Sequence, residues 1–126
     1  LVLLYMILKG IMFTERCAVQ IIEAEIQSTF KALADPTRRH ILKRLGDRDM
    51  SIGELAQGFE MTRAAVKKHL NVLEQGGLIS VRPNGRERIN TLEPDRLMAA
   101  SNWINYFSGF WDNRLNNLKT AIENED

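Results

Sequence analysis

Arg63, Lys67 and Lys68, with Asn71 and Gln75 behind them, have types and spacing that suit one kind of chemistry. They are three permanent cations and two amides, with no nucleophile and no acid–base pair beside them. Such a set recognises an anionic, hydrogen-bonding polymer without making covalent bonds. Ammonium and guanidinium groups neutralise phosphates. A guanidinium also pairs with the O6 and N7 atoms of guanine, and a small side chain such as Ala64 touches a thymine methyl.

A helix must position this set. Val66, Leu70 and Leu73 fall four and three apart and share one face. Ala64, Lys67, Lys68, Asn71 and Gln75 gather on the other side, with Arg63 at its edge. Thr62 supplies an N-cap hydroxyl, and Gly76 and Gly77 accept the conformations that end helices. A merely solvated helix would mix signs, but here Glu74 is the one acid and it lies near the end.

Upstream, Ser51 with Glu54 three residues on forms a capping box. Ile52, Leu55 and Ala56 give that short helix, running to Gly58, an apolar face. Phe59 to Met61 is then a three-residue connection, so the two helices must cross steeply as a helix-turn-helix. Downstream, Leu78 to Arg82 and Arg86 to Leu92 read as strands. Pro83-Asn84-Gly85 between them is a hairpin turn, which makes a wing.

With these pieces in order, the chain resembles the arsenic-repressor-type winged helix-turn-helix regulators. The resemblance rests on Phe30 to Arg38 with Ile41 and Leu42, Ser51 to Ala56, Met61 to Leu70, Leu73, Gly77-Leu78 and the wing to Leu92. It covers about residues 28–94. It implies a mainly α fold with a small β-hairpin, in the order α-α-α-α-β-β-α, with long terminal helices that pair two copies. It also implies a cytoplasmic, sequence-specific DNA-binding regulator, a homodimeric repressor on an inverted-repeat operator, responding to an effector the sequence does not identify. A protein-interaction module on the same fold and a membrane-associated regulator are the alternatives.

The residues expected to meet double-stranded DNA are Ser51, Thr62, Arg63, Ala64, Lys67, Lys68, His69, Asn71, Arg82, Asn84, Arg86 and Arg88. Arg86, at the hairpin tip, is expected to reach the minor groove or flanking phosphates. His69 lies beside the apolar stripe, where it reaches a phosphate or holds the helix structurally. The family's metal sites use paired cysteines on the first helix of the helix-turn-helix, or His, Asp and Glu sets on the last helix. The Ser51–Gly58 stretch has no cysteine, and the last helix has no histidine. Cys17, His40 and His69 fall on three different elements, so neither a metal nor any other cofactor is expected, and the chain reads as a non-metal-sensing member.

The whole-chain charge of +1 hides this asymmetry. From Arg63 to Arg88 six Lys and Arg residues face only Glu74 and Glu87, whereas the tail after Gly109 is acidic. That places positive charge where a phosphate backbone would be met. One cysteine excludes an intramolecular disulfide and suits a reducing compartment. No phosphate-binding loop or nucleophile elbow appears, so an enzyme is not expected. No apolar run reaches the length of a membrane span.

The rest of the chain divides into three. Residues 1–13 are an apolar leader of uncertain status, a poor signal peptide, in which Met6 and Met12 are candidate starts. Residues 14–94 form the winged domain. Its first helix, Cys17 to Ala34, repeats Ile22, Ile26, Phe30 and Leu33 as one buried stripe. A second begins at Asp35-Pro36, with Ile41, Leu42 and Leu45 inward and Arg38, Arg39, Lys43 and Arg44 outward as a solvated face; by the family resemblance Arg38 forms an ion pair. Residues 95–126 read as one dimerisation helix of about 30 residues, about 45 Å long. Its stripe of Trp103, Phe107, Phe110, Trp111, Leu115 and Leu118, with Ile22 and Ile26 on the first helix, forms the expected dimer interface.

Overall fold

The computed structural model describes residues 15–124, and side chains from Glu23 onward. The leader at 1–13 and the contacts expected of Ile22 lie outside what is described. Helix α1 (Glu15–Leu33) is followed by α2 (Pro36–Asp47), strand β1 (Met50–Ser51), α3 (Ile52–Ala56) and α4 (Arg63–Gln75). The wing strands β2 (Ile79–Asn84) and β3 (Glu87–Leu92) come next, then α5 (Pro94–Asn105) and α6 (Ser108–Glu123).

Helices α2, α3 and α4 start where short polar side chains hold free backbone N–H groups. Asp35 accepts from the Arg38 N–H at 3.0 Å, with Pro36 in the first turn. Ser51 and Glu54 close the capping box of α3. The end of α4 is a Schellman motif. Leu78 N–H bonds the Leu73 carbonyl at 3.0 Å, Gly77 N–H bonds that of Glu74 at 3.0 Å, and Gly77 takes φ 70°.

The core lies between α2, α3, α4 and the sheet. Ile41, Leu55, Val66, Leu73 and Leu78 are completely buried, with Leu42, Leu45, Met50, Leu70 and Ile79 around them. Helix α1 packs on α4 through Thr29 and Ala32, both fully buried. The Thr29 hydroxyl donates to the Gly76 carbonyl at 2.8 Å, and a Cβ on Gly76 would fall 2.9 Å from that of Ala32. Ile26, Phe30 and Leu33, expected as the buried stripe of α1, are only partly covered. They flank the Thr29–Ala32 contact, and Phe30 meets Trp103 edge-on at 5.6 Å.

Three details depart from the sequence reading. The sheet has three antiparallel strands in the order β1-β3-β2, because Met50 and Ser51 pair with Asn90 and Ile89. The hairpin turns one residue later than expected. Asn84 pairs with Glu87, leaving Gly85 and Arg86 as the central pair. Only Gly85 has positive φ, 64°, which is the sign pattern of a type II′ turn with glycine first. Finally, the expected 30-residue helix is two helices. Between them, the Tyr106 N–H is shared between the Asn102 carbonyl at 3.2 Å and that of Trp103 at 3.3 Å, and the Phe107 N–H reaches back only three residues, to Ile104 at 3.1 Å. Phe107 sits near φ −90°, ψ 2°, so a tight turn replaces α geometry. Among the described residues no helix is long and apolar enough to cross a membrane.

Candidate nucleic-acid interface

Helix α4 presents its polar face to solvent because Val66, Leu70 and Leu73 anchor the opposite face in the core. Thr62 accepts from the Ala65 N–H at 3.2 Å and fixes the first turn. Thr62, Arg63, Ala64, Lys67, Lys68 and Asn71 are exposed in succession from it. The wing folds back beside this helix and leaves a groove of about 300 Å³ between them. Arg63, Lys67 and Asn71 line it from α4, and Arg86 and Arg88 from the wing. Five residues chosen from sequence thus converge on one concavity. Glu74 and Glu87 also border it, so its cations outnumber its acids.

Other expected residues are placed differently. Thr62, Ala64 and Lys68 lie outside the groove, on the exposed side of α4, and Asn84 is exposed on the wing. Ser51 lies in the groove wall but is buried, and its hydroxyl accepts the Glu54 N–H at 3.2 Å. By strand alternation Arg82 faces the other side of the sheet from Val81 and the groove. Its guanidinium pairs with Asp49 at 3.0 Å. His69 points inward. Its Nδ1 lies 3.5 Å from Arg38 Nη1 and 3.8 Å from an Asp35 carboxylate oxygen. That is the structural alternative weighed for this histidine.

Two carboxylates have lowered pKa values. The Arg38 N–H, bonded to Asp35, is the largest cause of its shift; partial burial opposes it, and the Arg38 and His69 charges assist. For Glu54 the main cause is the hydrogen bond from Arg48, with the Ser51 N–H second. Both groups brace the start of a helix as anions.

Sequence reasoning missed what Arg38, Arg39 and Arg44 do. Arg38 donates to the Ala32 and Lys31 carbonyls at 2.8 and 3.0 Å, and Arg39 to that of Leu33 at 2.8 Å. Together they satisfy the free carbonyl end of α1, where cations are favoured. Among the described ion pairs none joins Arg38 to a carboxylate; its partners are carbonyls and His69. Arg44 does the same for α3, bonding the Leu55 and Glu54 carbonyls at 2.7 and 3.1 Å. One signal was available. Only Ala34 and Asp35 separate α1 from α2, so the first turn of α2 must face the last turn of α1. Among the described residues no three His, Cys, Asp or Glu side chains gather as a metal site.

Comparison with known proteins agrees with this arrangement. The sequence profile of a helix-turn-helix domain family matches residues 33–82. The chain is 36% identical over 96 residues to the HTH-type transcriptional regulator Rv2034 of Mycobacterium tuberculosis, spanning 76% of this chain and 87% of that one. It is 36% identical over 90 residues to the transcriptional repressor SdpR of Bacillus subtilis, spanning 71% of this chain and all of the relative. Among solved structures, an ArsR-like transcriptional regulator from Rhodococcus sp. RHA1 superposes with a TM-score of 0.66 at 35% identity. That match covers 82% of this chain and 95% of the other.

Proposed function

The chain belongs to the ArsR family of winged helix-turn-helix transcriptional regulators, and from that premise we propose that it is a dimeric repressor binding an inverted-repeat operator. The observation that carries this reading is the groove where Arg63, Lys67, Arg86 and Arg88 converge between α4 and the wing. A phosphate backbone passing between major and minor grooves needs cations on both sides of it. Helix α4 enters the major groove start-first. Arg63 and Ala64 then meet base edges, Lys67 and Lys68 meet phosphates, and Arg86 at the wing tip reaches the flanking minor groove. SdpR, the relative matched along its whole length, is itself a repressor, which favours repression here.

Arg63→Ala is expected to cost about 1–3 kcal/mol on the best site and to relax preference at one base position. Lys67→Ala should weaken all sequences evenly and flatten the salt dependence by about one unit of slope. Binding titrations across a salt series decide between them. An Arg63→Ala protein with unchanged affinity and unchanged site preference would overturn the major-groove placement.

We also place the chain outside the metal-sensing members. No sensor site is visible on α3 or on the last two helices, since neither cysteine nor histidine occurs there. Zinc, cadmium, arsenite and chelators are expected to leave DNA affinity unchanged. A tenfold change with any of them at micromolar concentration would refute this.

A further inference from the structure

The outer face of α2 carries a second cationic surface. Arg39, His40 and Lys43 are exposed along it, with Arg44 half-buried, around an open depression that also touches Pro36 and Asp47. This face is joined to the helix-turn-helix through Arg44, which bonds the Leu55 and Glu54 carbonyls of α3, and through Phe59. The His40 ring meets Phe59 edge-on at 5.1 Å, and the Arg44 guanidinium lies 5.7 Å over the same ring. Phe59 belongs to the turn between α3 and α4. Gly58 beside it leaves room for Arg44, because a Cβ there would collide with the guanidinium. The patch is therefore continuous with the turn that leads into the start of α4.

Its cations outnumber Asp47, the acid that lines the depression with them. Arg48 pairs with Glu54, Arg82 with Asp49 and Arg96 with Glu25. Among the described residues no ion pair involves Arg39, His40, Lys43 or Arg44. Arg39 and Arg44 are held by backbone carbonyls instead. A carbonyl fixes a guanidinium without neutralising it, and each guanidinium keeps further N–H groups to donate. Such held cations lose little freedom when they meet an anion.

We propose that this face of α2 is part of the DNA interface, with Arg39 and Lys43 contacting phosphates just beyond those met by α4. The proposal rests on the placement of α4 in the major groove. With the start of α4 in the groove, the turn before it runs along the bordering phosphate ridge. The patch on α2 continues from that turn through the contacts of His40 and Arg44 with Phe59. Phosphate contacts of this kind add affinity and carry no base preference.

The test is the salt dependence of binding to a mixed-sequence DNA duplex, with Lys67→Ala as the comparison. Lys43→Ala and Arg39→Gln are each expected to lower the slope of log affinity against log salt by about one. Lys43→Glu should lower affinity further than Lys43→Ala. Thermal denaturation of each variant separates a lost contact from a lost fold, and Lys43, exposed and without a bond like that of Arg39 to the Leu33 carbonyl, is the safer of the two positions. If Lys67→Ala lowers the slope and neither Lys43 variant does, the α2 contact is refuted and the α4 placement stands. If none of the variants changes the slope, the α4 placement fails with it.

Discussion

Replacing Trp111 and Leu118 together by alanine is expected to turn the protein from dimer to monomer. Binding to a duplex with two half-sites should fall far more than binding to a single half-site. The reason lies in α6, which has no buried residue in the isolated chain. Trp111 and Leu115 are 62% exposed, Leu118 58% and Ile122 64%. Within α6 they recur at fours and threes, so they form one stripe along it. A 16-residue helix with no buried residue among those described is marginal in water on its own. An exposed apolar patch of this extent marks an interface. Each buried aromatic contributes roughly 150–250 Å², and a stable pair needs about 800 Å² from each partner. The stripe supplies that area if a second copy covers it. Trp111 stacks only on its neighbour Phe110 among the described aromatic pairs. Its loss should therefore leave the folded body intact. Sedimentation and gel shift on the same samples decide the matter. A double variant that stays dimeric would overturn the assignment of this stripe to the dimer.

The second large effect is expected at Leu73, in α4 but on the face opposite the cations. Leu73 is completely buried, and its carbonyl receives the Leu78 N–H that ends the helix. Its side chain belongs to the same cluster as Ile41, Leu55 and Val66, so it joins α2, α3 and α4. Leu73→Ala removes buried methyl groups and leaves a cavity, at a cost of about 2–5 kcal/mol. A domain of this size commands about 5–15 kcal/mol in total. Urea denaturation should show a lower midpoint at unchanged slope. DNA binding should fall only as far as the unfolded fraction grows. A loss below about 1 kcal/mol would mean that the core closes over the gap, and that Leu73 is not the hub that its burial indicates.

What was legible in the sequence was local or periodic. The capping box at Ser51 and Glu54, the cap at Thr62 and the double-glycine stop after Gln75 depend on neighbours within a few positions, and the structure has all three. The basic face of α4 followed from helical period alone. What was missed depends on space. Strand β1 is two residues long, too short to show a period, and exists because β3 offers it partners. The turn moved from Pro83-Asn84-Gly85 to Gly85-Arg86 because a single positive φ suffices once Asn84 pairs with Glu87. The break at Phe107 has no glycine or proline within the turn itself; Gly109, the weak point visible in the sequence, lies inside α6. Within the interface, the exposure of Arg63, Lys67 and Arg86 was readable. The diversion of Arg82 to Asp49 and of His69 to Asp35 was not, since both partners lie more than thirty positions away.

The contact between Thr29 and Gly76 has a mechanical consequence. Ala32 and the Ser28 carbonyl approach Gly76 so closely that an added Cβ would have no room. The hydroxyl of Thr29 pins the same spot. Two helices in contact that close resist sliding past each other, so α1 fixes where the Gly76 end of α4 sits. Of the 19 residues of α1, it is this last part, Ser28 to Ala32, that meets α4 at its Gly76 end. The start of α4, the end carrying Arg63, is referred to that anchor through Val66, Leu70 and Leu73 in the core.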